Sequence, residues 1–282
     1  MILPGSATQA LAASLATETG QDLAGVSFDH FADGERRLQV EGIEAGTDVV
    51  VVASTTSDSA HVELLQLQDA AREAGASEVT TVLPYMGYAR QDDSFEPGQP
   101  VSARAVARAL STGTDRVVTV NPHERAVCGY FDVPATAVDA AGLLADPLPA
   151  LADPVFLAPD AGACNLAETL RDAHGRGEVD QFAKTRHTDT DVDIEPSDTA
   201  VAGRDVVLVD DIVATGSTMS EAVGVLDNRE AARVYVACVH PVLARDAYTR
   251  LRRAGVEAVY GTDTVERPVS QVSAAPAIAE VL

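Results

Sequence analysis

Two adjacent acids and a Thr-Gly-Ser-Thr turn stand where an apolar run gives way to a helical pattern. Residues 206–209 are Val-Val-Leu-Val, Asp210 and Asp211 follow, and the turn occupies residues 215–218 after Ala214. At the carboxyl end of a parallel strand, such carboxylates accept hydrogen bonds from ribose hydroxyls. The turn directs N–H groups and hydroxyls at a phosphate over the next helix N-terminus. The segment predicts a sugar-phosphate site, and the alternative is a strand ending in solvated acids before an ordinary Ser/Thr cap.

Other short segments carry residues suited to phosphate or metal chemistry. They are Phe31-Ala32-Asp33-Gly34-Glu35, Tyr88-Ala89-Arg90-Gln91-Asp92, His123 before Gly129-Tyr130-Phe131-Asp132-Val133-Pro134, Pro159-Asp160-Ala161-Gly162, and Lys184-Thr185-Arg186. Taken singly, each has an ordinary interpretation, since Asp-Gly-Glu is a common turn and a lone histidine is more often packed or solvated than a ligand. Their significance therefore depends on their joint order.

The elements that must position these residues alternate between strands and helices. Short β-branched runs at residues 48–54, 79–85, 116–121, 155–160, 205–212 and 234–242 are typical of buried parallel strands. Alanine-rich stretches with helical spacing lie between them, at residues 60–74, 102–110, 164–173 and 218–226. This alternation predicts an α/β fold with parallel sheets. The Pro-punctuated stretch 146–154 predicts a boundary between domains 1–145 and 146–282, and the polar segment 185–199 predicts a long mobile loop.

The charge balance excludes several classes of function. The 282 residues include 43 acidic and 20 basic side chains, for a net charge of −23. Such a surface repels nucleic acids and anionic lipids. No apolar run reaches the roughly 18 residues that a membrane helix needs, and no secretory leader precedes the first apolar stretch, so a cytoplasmic location is expected. Three cysteines without CxxC spacing favour neither a zinc site nor a disulfide framework.

The basic residues also show a strong bias. Lys184 is the single lysine, so the remaining basic side chains are arginine. Guanidinium forks pair well with abundant carboxylates, and high salt screens the repulsion between acids. The composition resembles that of proteins from salt-in halophiles, with GC-driven codon usage as the alternative cause of the arginine bias.

The 206–219 segment resembles the 5-phosphoribosyl 1-pyrophosphate motif of the type I phosphoribosyltransferase fold. The other motifs occur in the order found in the ribose-phosphate diphosphokinase family, and this resemblance spans nearly the whole chain. It implies two similar parallel-sheet α/β domains. It also implies an ATP- and Mg²⁺-dependent transferase that moves the diphosphoryl group of ATP to the 1-hydroxyl of ribose 5-phosphate, forming phosphoribosyl pyrophosphate and AMP.

The same resemblance implies a role for each motif residue. ATP would contact Phe31, Asp33, Gly34, Glu35, Arg90, Gln91 and Asp92. Ribose 5-phosphate would contact Arg186, Asp210, Asp211, Ala214, Thr215, Gly216, Ser217 and Thr218. Lys184 and Arg186 would be catalytic, and His123 and Asp160 would lie near Mg²⁺. In relatives the 31–35 segment serves a neighbouring subunit, which implies a homodimer or larger homo-oligomer with shared ATP sites.

Five positions depart from the family pattern, among them Glu124 and Ala126, which stand where relatives usually carry small and amide residues after the histidine. Asn121 and Thr136 stand where relatives often carry acids, so a second metal or activating site there is in question. Ala214 removes a carboxylate from the turn. Two alternatives remain open, namely a phosphoribosyltransferase that consumes the pyrophosphate compound and a catalytically inactive regulatory homologue.

Overall fold

The computed structural model describes residues 1–186, 192–196 and 199–282, which form two compact units. The first unit comprises Met1–Asp139, Asp263–Glu266 and Ser273–Leu282. The second comprises Ala140–Thr262 and Arg267–Val272. The second unit thus begins a few residues before the boundary expected from the sequence, and two later segments return to the first unit.

Strands and helices alternate along much of the chain. The strands are β1 (Ile2–Pro4), β2 (Gly25–His30), β3 (Arg36–Glu41), β4 (Val49–Val52), β5 (Val79–Leu83), β6 (Arg116–Val120), β7 (Ala135–Val138), β8 (Val155–Ala158), β9 (Glu178–Arg186), β10 (Val192–Pro196), β11 (Asp205–Ile212), β12 (Arg233–His240), β13 (Val256–Thr262) and β14 (Ser270–Val272). The helices are α1 (Gln9–Thr19), α2 (Asp58–Glu73), α3 (Ser102–Leu110), α4 (Cys164–His174), α5 (Ser217–Asn228), α6 (Ala247–Ala254) and α7 (Ala275–Ala279). Short 3-10 helices span Arg125–Tyr130, Ala141–Ala145 and Ala161–Ala163.

The first unit is built on a parallel sheet in the order β1-β4-β5-β6-β7. The four valines of β4 are all buried, as expected for a central strand covered on both faces. Helix α2 begins after Ser57, whose hydroxyl accepts a hydrogen bond from the Ala60 N–H, and it buries Leu64 and Leu67 in the core. Strands β2 and β3 form a separate antiparallel hairpin.

The second unit contains a sheet whose described strands run in the order β10-β9-β8-β11-β12-β13-β14. Neighbouring strands are parallel except β9 and β10, which are antiparallel. The buried residues Val206 and Leu208 of β11 face the same core as Met219 and Leu226 of α5. The strongly apolar β11 thereby becomes a central strand that carries two acids to its carboxyl end.

An ion pair between Asp205 and Arg233 joins the amino ends of β11 and β12. The Asp205 side chain is only 1% exposed. It accepts hydrogen bonds from Arg233 Nε and Nη2 at 2.8 and 2.6 Å and from the Ala152 N–H at 2.5 Å. The bonds from Arg233 are the largest reason why the pKa of Asp205 is lowered. The pair therefore stabilises the end of the sheet remote from the strand carboxyl ends.

The predicted fold class is confirmed, and most predicted strands and helices are present. The loop prediction for residues 185–199 is wrong in its described part. Thr185 and Arg186 end β9, and residues 192–196 form β10, which pairs with β9 in an antiparallel hairpin. Pairing of the two backbones satisfies their hydrogen bonds despite the polar composition. Residues 187–191 and 197–198 of that prediction lie outside the described residues.

Candidate active site

Two half-buried carboxyl groups lie at the end of β11. Asp210 Oδ1 accepts a hydrogen bond from the Asp211 N–H at 3.0 Å, and Asp211 Oδ1 accepts one from the Ile212 N–H at 2.7 Å. These bonds hold each carboxyl group beside its own backbone. The strand itself cannot shift, because its residues 206–208 pair with β8 on one side and β12 on the other.

Burial raises the pKa of Asp210 well above its ordinary value, and the neighbouring Asp211 carboxylate raises it further. A smaller contribution comes from Asp160, which follows the adjacent strand β8. Asp160 is half-buried and accepts a hydrogen bond from the Gly162 N–H at 3.1 Å. The parallel strands β8 and β11 therefore bring three acids to one edge of the sheet, where Asp211 and Asp160 disfavour the ionisation of Asp210.

The residues after these acids form a turn over residues 214–218, called here the 214–218 turn. Gly216 has a φ of 71°, the left-handed conformation that favours glycine. A Cβ at this position would also meet Leu251 Cγ at 3.3 Å. Helix α5 begins at Ser217, and the Ser220 N–H and hydroxyl both donate to the Gly216 carbonyl, at 2.9 and 2.8 Å. The close contact with Leu251 and the two hydrogen bonds from Ser220 therefore fix the conformation of the turn at Gly216.

The 214–218 turn presents hydroxyls at the N-terminus of a twelve-residue helix. Thr215 and Thr218 are exposed, and the Thr215 hydroxyl donates to Ser217 Oγ at 3.3 Å. The first N–H groups of a helix have no partner within it and favour an anion. The five predicted residues of this turn and the acids at the end of β11 are therefore adjacent, in an arrangement suited to a sugar phosphate.

Lys184 and Arg186 lie on β9, within the same sheet. In the register of the β9–β10 hairpin, Lys184 is opposite Ile194 and Arg186 is opposite Val192. Strand β9 is adjacent to β8, the strand that leads to Asp160. The topology thus separates β9 from β11 by one strand only.

In the first unit, residues 31–35 form the tip of the β2–β3 hairpin, called here the 31–35 tip. The Phe31 N–H donates to the Glu35 carbonyl at 2.8 Å, and Gly34 closes the turn with a φ of 93°. Asp33 and Glu35 are exposed, and the Phe31 side chain is 51% exposed. The tip thus offers an aromatic ring and two carboxylates to a partner outside the hairpin.

The body of this hairpin is fixed to α2. Arg36 forms an ion pair with the buried Glu63, which also accepts hydrogen bonds from the Ser6 N–H and hydroxyl, both at 2.7 Å. Gln66 donates from its amide nitrogen to the Arg36 carbonyl at 3.0 Å. The 31–35 tip is therefore carried by a base with several anchoring contacts.

The Arg90-Gln91-Asp92 segment lies in the connection from β5 to α3. The Gln91 N–H donates to the Tyr88 carbonyl at 3.0 Å, and the Gln91 side chain accepts a bond from the Ser102 hydroxyl. The Asp92 carbonyl accepts a bond from the Tyr130 hydroxyl at 2.7 Å. Arg90 is exposed, so its guanidinium is accessible to a ligand.

His123 follows β6, the strand beside β5. It is exposed, and nearby Asn121 has a φ of 33° and donates from its amide to Asp139 at 2.7 Å. The predicted residues of the first unit thus stand at a hairpin tip and in two loops that follow neighbouring parallel strands.

Comparison with known proteins supports the order of the motifs. A family model described as the N-terminal domain of ribose phosphate pyrophosphokinase matches residues 1–113, and a phosphoribosyl transferase domain model matches residues 148–270. A curated ribose-phosphate pyrophosphokinase from Halobacterium salinarum is 64% identical over 283 residues and covers 100% of both chains. The chain belongs to the ribose-phosphate pyrophosphokinase family.

Further relatives agree with this assignment. A ribose-phosphate pyrophosphokinase from Methanosarcina mazei is 44% identical over 283 residues, which cover 100% of this chain and 94% of the relative. The crystal structure of phosphoribosylpyrophosphate synthetase from Mycobacterium smegmatis matches with a TM-score of 0.84 at 31% identity, covering 99% of this chain and 96% of that one. The predictions of the family and of a transferase are confirmed. A simple phosphoribosyltransferase would not explain the match over residues 1–113.

Among the described residues, no helix is long and apolar enough to cross a membrane.

The structure also brings Arg250 of α6 to the 214–218 turn, where its Nη1 donates to Ser217 Oγ at 2.9 Å. No sequence signal identifies Arg250, because it lies far beyond the motif in the chain and follows no recognisable spacing from it.

Proposed function

We propose that this chain transfers the diphosphoryl group of ATP to the 1-hydroxyl of ribose 5-phosphate, releasing phosphoribosyl pyrophosphate and AMP. The observation that carries the proposal is the placement of Asp210 and Asp211 directly before the 214–218 turn. Ribose hydroxyls donate to the carboxylates, and the 5-phosphate accepts hydrogen bonds from the N–H groups and hydroxyls of the turn. Sugar and phosphate are recognised by one continuous segment.

The electrostatics of Asp210 suit this role. In the free protein, burial and the neighbouring acids raise its pKa, so the ionised form is disfavoured. Hydrogen bonds donated by ribose hydroxyls stabilise the ionised form. Ribose binding therefore offsets the repulsion between Asp210 and the neighbouring acids. The acids favour a ligand whose hydroxyl groups donate hydrogen bonds to them.

In the reaction, the ribose 1-oxygen forms a bond to the β-phosphorus while the bond from that phosphorus to the α-phosphate oxygen breaks. The electron pair of the broken bond leaves with AMP, and the proton of the 1-hydroxyl passes to solvent. Transfer of this kind depends on positioning and on countercharge for the phosphate oxygens. We assign that countercharge to Lys184 and Arg186 of β9, and nucleotide binding to Arg90, Gln91 and Asp92.

Magnesium fits the chain best as an ion shared with substrate phosphates. The described residues contain no group of three or more His, Cys, Asp or Glu side chains that could hold a metal. Mg²⁺ in phosphoryl-transfer enzymes is commonly held by one or two carboxylates together with phosphates and water. Asp160 offers such a carboxylate, and His123 is the second proposed contact. When bound, the ion supplies positive charge at the phosphate oxygens.

We further propose that the 31–35 tip completes the ATP site of a neighbouring copy of the chain, in a cytoplasmic homo-oligomer. Support comes from the exposure of Phe31, Asp33 and Glu35 at the end of an anchored hairpin. Mixing inactive Asp33→Ala chains with inactive Lys184→Ala chains tests this arrangement, because hybrid oligomers then contain some sites with neither defect. Partial recovery of activity is expected, and no recovery after verified subunit exchange contradicts shared sites.

The reaction itself is tested by incubating the protein with ATP, Mg²⁺ and ribose 5-phosphate in molar KCl and separating the nucleotides by chromatography. AMP is expected in an amount equal to the phosphoribosyl pyrophosphate formed. Asp210→Ala should abolish its formation, whereas Asp227→Ala, an equal change of charge at an exposed position of α5, should not. Absence of AMP with the unaltered protein would identify an inactive homologue.

A further inference from the structure

Helix α6 packs directly against the 214–218 turn. Its Ala247 and Leu251 are fully buried, and both lie within 3.5 Å of the position that a Cβ on Gly216 would occupy. The turn and α6 are therefore in close contact at a point where a Cβ on Gly216 would crowd Leu251. Any side chain on the adjoining face of α6 is held at a fixed distance from the turn.

The segment that leads into α6 is joined to the same turn by its backbone. The Leu243 N–H donates to the Val213 carbonyl and the Ala244 N–H to the Ala214 carbonyl, both at 2.9 Å. Leu243 and Arg245 have φ values of 45° and 57°, an unfavourable conformation for residues with a side chain. Such backbone strain concentrates at sites where the surrounding structure fixes a functional geometry. The entry to α6 is thus constrained by its contacts with the turn.

Arg250 extends from α6 to the hydroxyl of Ser217. Its Nη1 donates to Ser217 Oγ at 2.9 Å, while its Nη2 lies 3.3 and 3.4 Å from the two carboxylate oxygens of Asp246, one helical turn earlier. Asp246 therefore orients the guanidinium, and the guanidinium in turn orients the serine.

Ser217 accepts two hydrogen bonds at its hydroxyl oxygen, which leaves the hydroxyl proton for donation to another group. A serine hydroxyl has two acceptor lone pairs and a single donor proton. Ser217 Oγ accepts one bond from Arg250 and a second, longer one from the Thr215 hydroxyl at 3.3 Å. Both acceptor positions are then occupied, so the hydroxyl proton is directed toward a third group. At the N-terminus of α5, where the free helix N–H groups favour an anion, a bound phosphate would be in position to accept it.

We propose that Arg250 is a positioning residue for the phosphate group of ribose 5-phosphate, which makes Ser217 an obligatory hydrogen-bond donor to that phosphate. This proposal rests on the assignment of the 214–218 turn to the 5-phosphate. The positive charge of Arg250 also lies one hydroxyl away from the bound dianion, in a region where Asp210, Asp211 and Asp160 would otherwise repel it. Arg250 thereby selects a phosphorylated sugar over a neutral one.

Calorimetric titration with ribose 5-phosphate, at fixed KCl and without ATP, measures this contribution independently of turnover. Arg250→Ala should weaken binding about tenfold, the effect of losing one charge-assisted hydrogen bond. Arg250→Lys should restore part of the affinity, because it keeps the charge. Arg253→Ala is the matched control, since it removes an exposed arginine from the same helix.

A double-mutant cycle identifies the route of the effect. If Arg250 acts through the serine, Arg250→Ala should weaken binding much less in a Ser217→Ala background than in the unaltered protein. In steady-state assays the KM for ribose 5-phosphate should rise while kcat and the KM for ATP stay unchanged. An affinity loss no greater than that of Arg253→Ala, or equal losses in both backgrounds, overturns the proposal. Failure to form AMP would instead contradict the proposed reaction. The calorimetric titration would still test whether Arg250 contributes to phosphate binding.

Discussion

Replacing Asp210 with asparagine should stabilise the free protein while abolishing its activity. The side chain is half-buried, and its charge is opposed by burial and by the neighbouring carboxylates of Asp211 and Asp160. Asparagine keeps the size and the acceptor for the Asp211 N–H but removes this charge. We expect a gain of about 1–2 kcal/mol in the free energy of unfolding, the usual size for relief of such a site. At about 2–4 °C per kcal/mol, the Tm should rise by about 2–8 °C.

The gain in stability from Asp210→Asn should depend on pH. Because the pKa of Asp210 is higher in the folded state than in the unfolded chain, its ionisation opposes folding. Both states are protonated below the unfolded pKa of about 3.9, so the charge has no effect there. The penalty develops as pH rises from that value through the folded pKa and is complete above it. The advantage of Asp210→Asn should therefore be absent in acid and greatest at neutral and alkaline pH.

Thermal melts of the unaltered protein and of Asp210→Asn, recorded across this pH range in constant KCl, test the reasoning. Asp227→Asn provides the control, because it removes one charge from an exposed position in the same unit. If both variants gain equally, relief of the net charge explains the effect and the local argument fails. A lower Tm for Asp210→Asn at neutral pH would likewise refute it.

Three further predictions concern stability and turnover. Arg233→Met should lower the free energy of unfolding in denaturant titrations, because it removes the partly exposed cation that pairs with the buried Asp205 carboxylate. Arg171→Met, which removes a pair to an exposed carboxylate, should lower the free energy of unfolding by less, and equal losses would contradict the argument. Lys184→Arg should lower turnover about 10²-fold with substrate affinities little changed, because a planar guanidinium replaces a compact ammonium, and near-normal turnover in steady-state assays would disprove this. The Tm should rise from low to multimolar KCl as the net charge of −23 is screened, and a melting temperature independent of salt would contradict that expectation.

The strongest sequence signals were those of buried parallel strands and of the helices that follow them. Residues 205–212 were predicted as a strand and form β11, since an uninterrupted β-branched run is stable only when both faces are covered. The predicted helix at 102–110 coincides with α3. The acids after β11 and the turn after them could therefore be placed correctly relative to each other. Local order along one segment was sufficient for that part of the site.

Features that depend on pairing between segments were harder to foresee. The polar composition of residues 185–199 predicts a loop, although Val192 and Ile194 alternate with Asp193 and Glu195 as in the strand that is observed. Arg250 was missed for a related reason. Only the packing of α6 against Gly216 brings it to the turn, and no spacing along the sequence encodes that contact.

The division of the chain has a consequence for its synthesis. The second unit is an insertion within the first, since Asp263–Glu266 and Ser273–Leu282 belong with residues that precede it. Helix α7 packs on α1, and Arg116 donates to the Val281 carbonyl at 3.2 Å. On the ribosome, all residues of the second unit are therefore synthesised before α7. Helix α1 can be covered by α7 only after that. During this interval the surface of α1 that packs on α7 is available to chaperones or to other emerging chains, which makes the order of translation part of the folding problem.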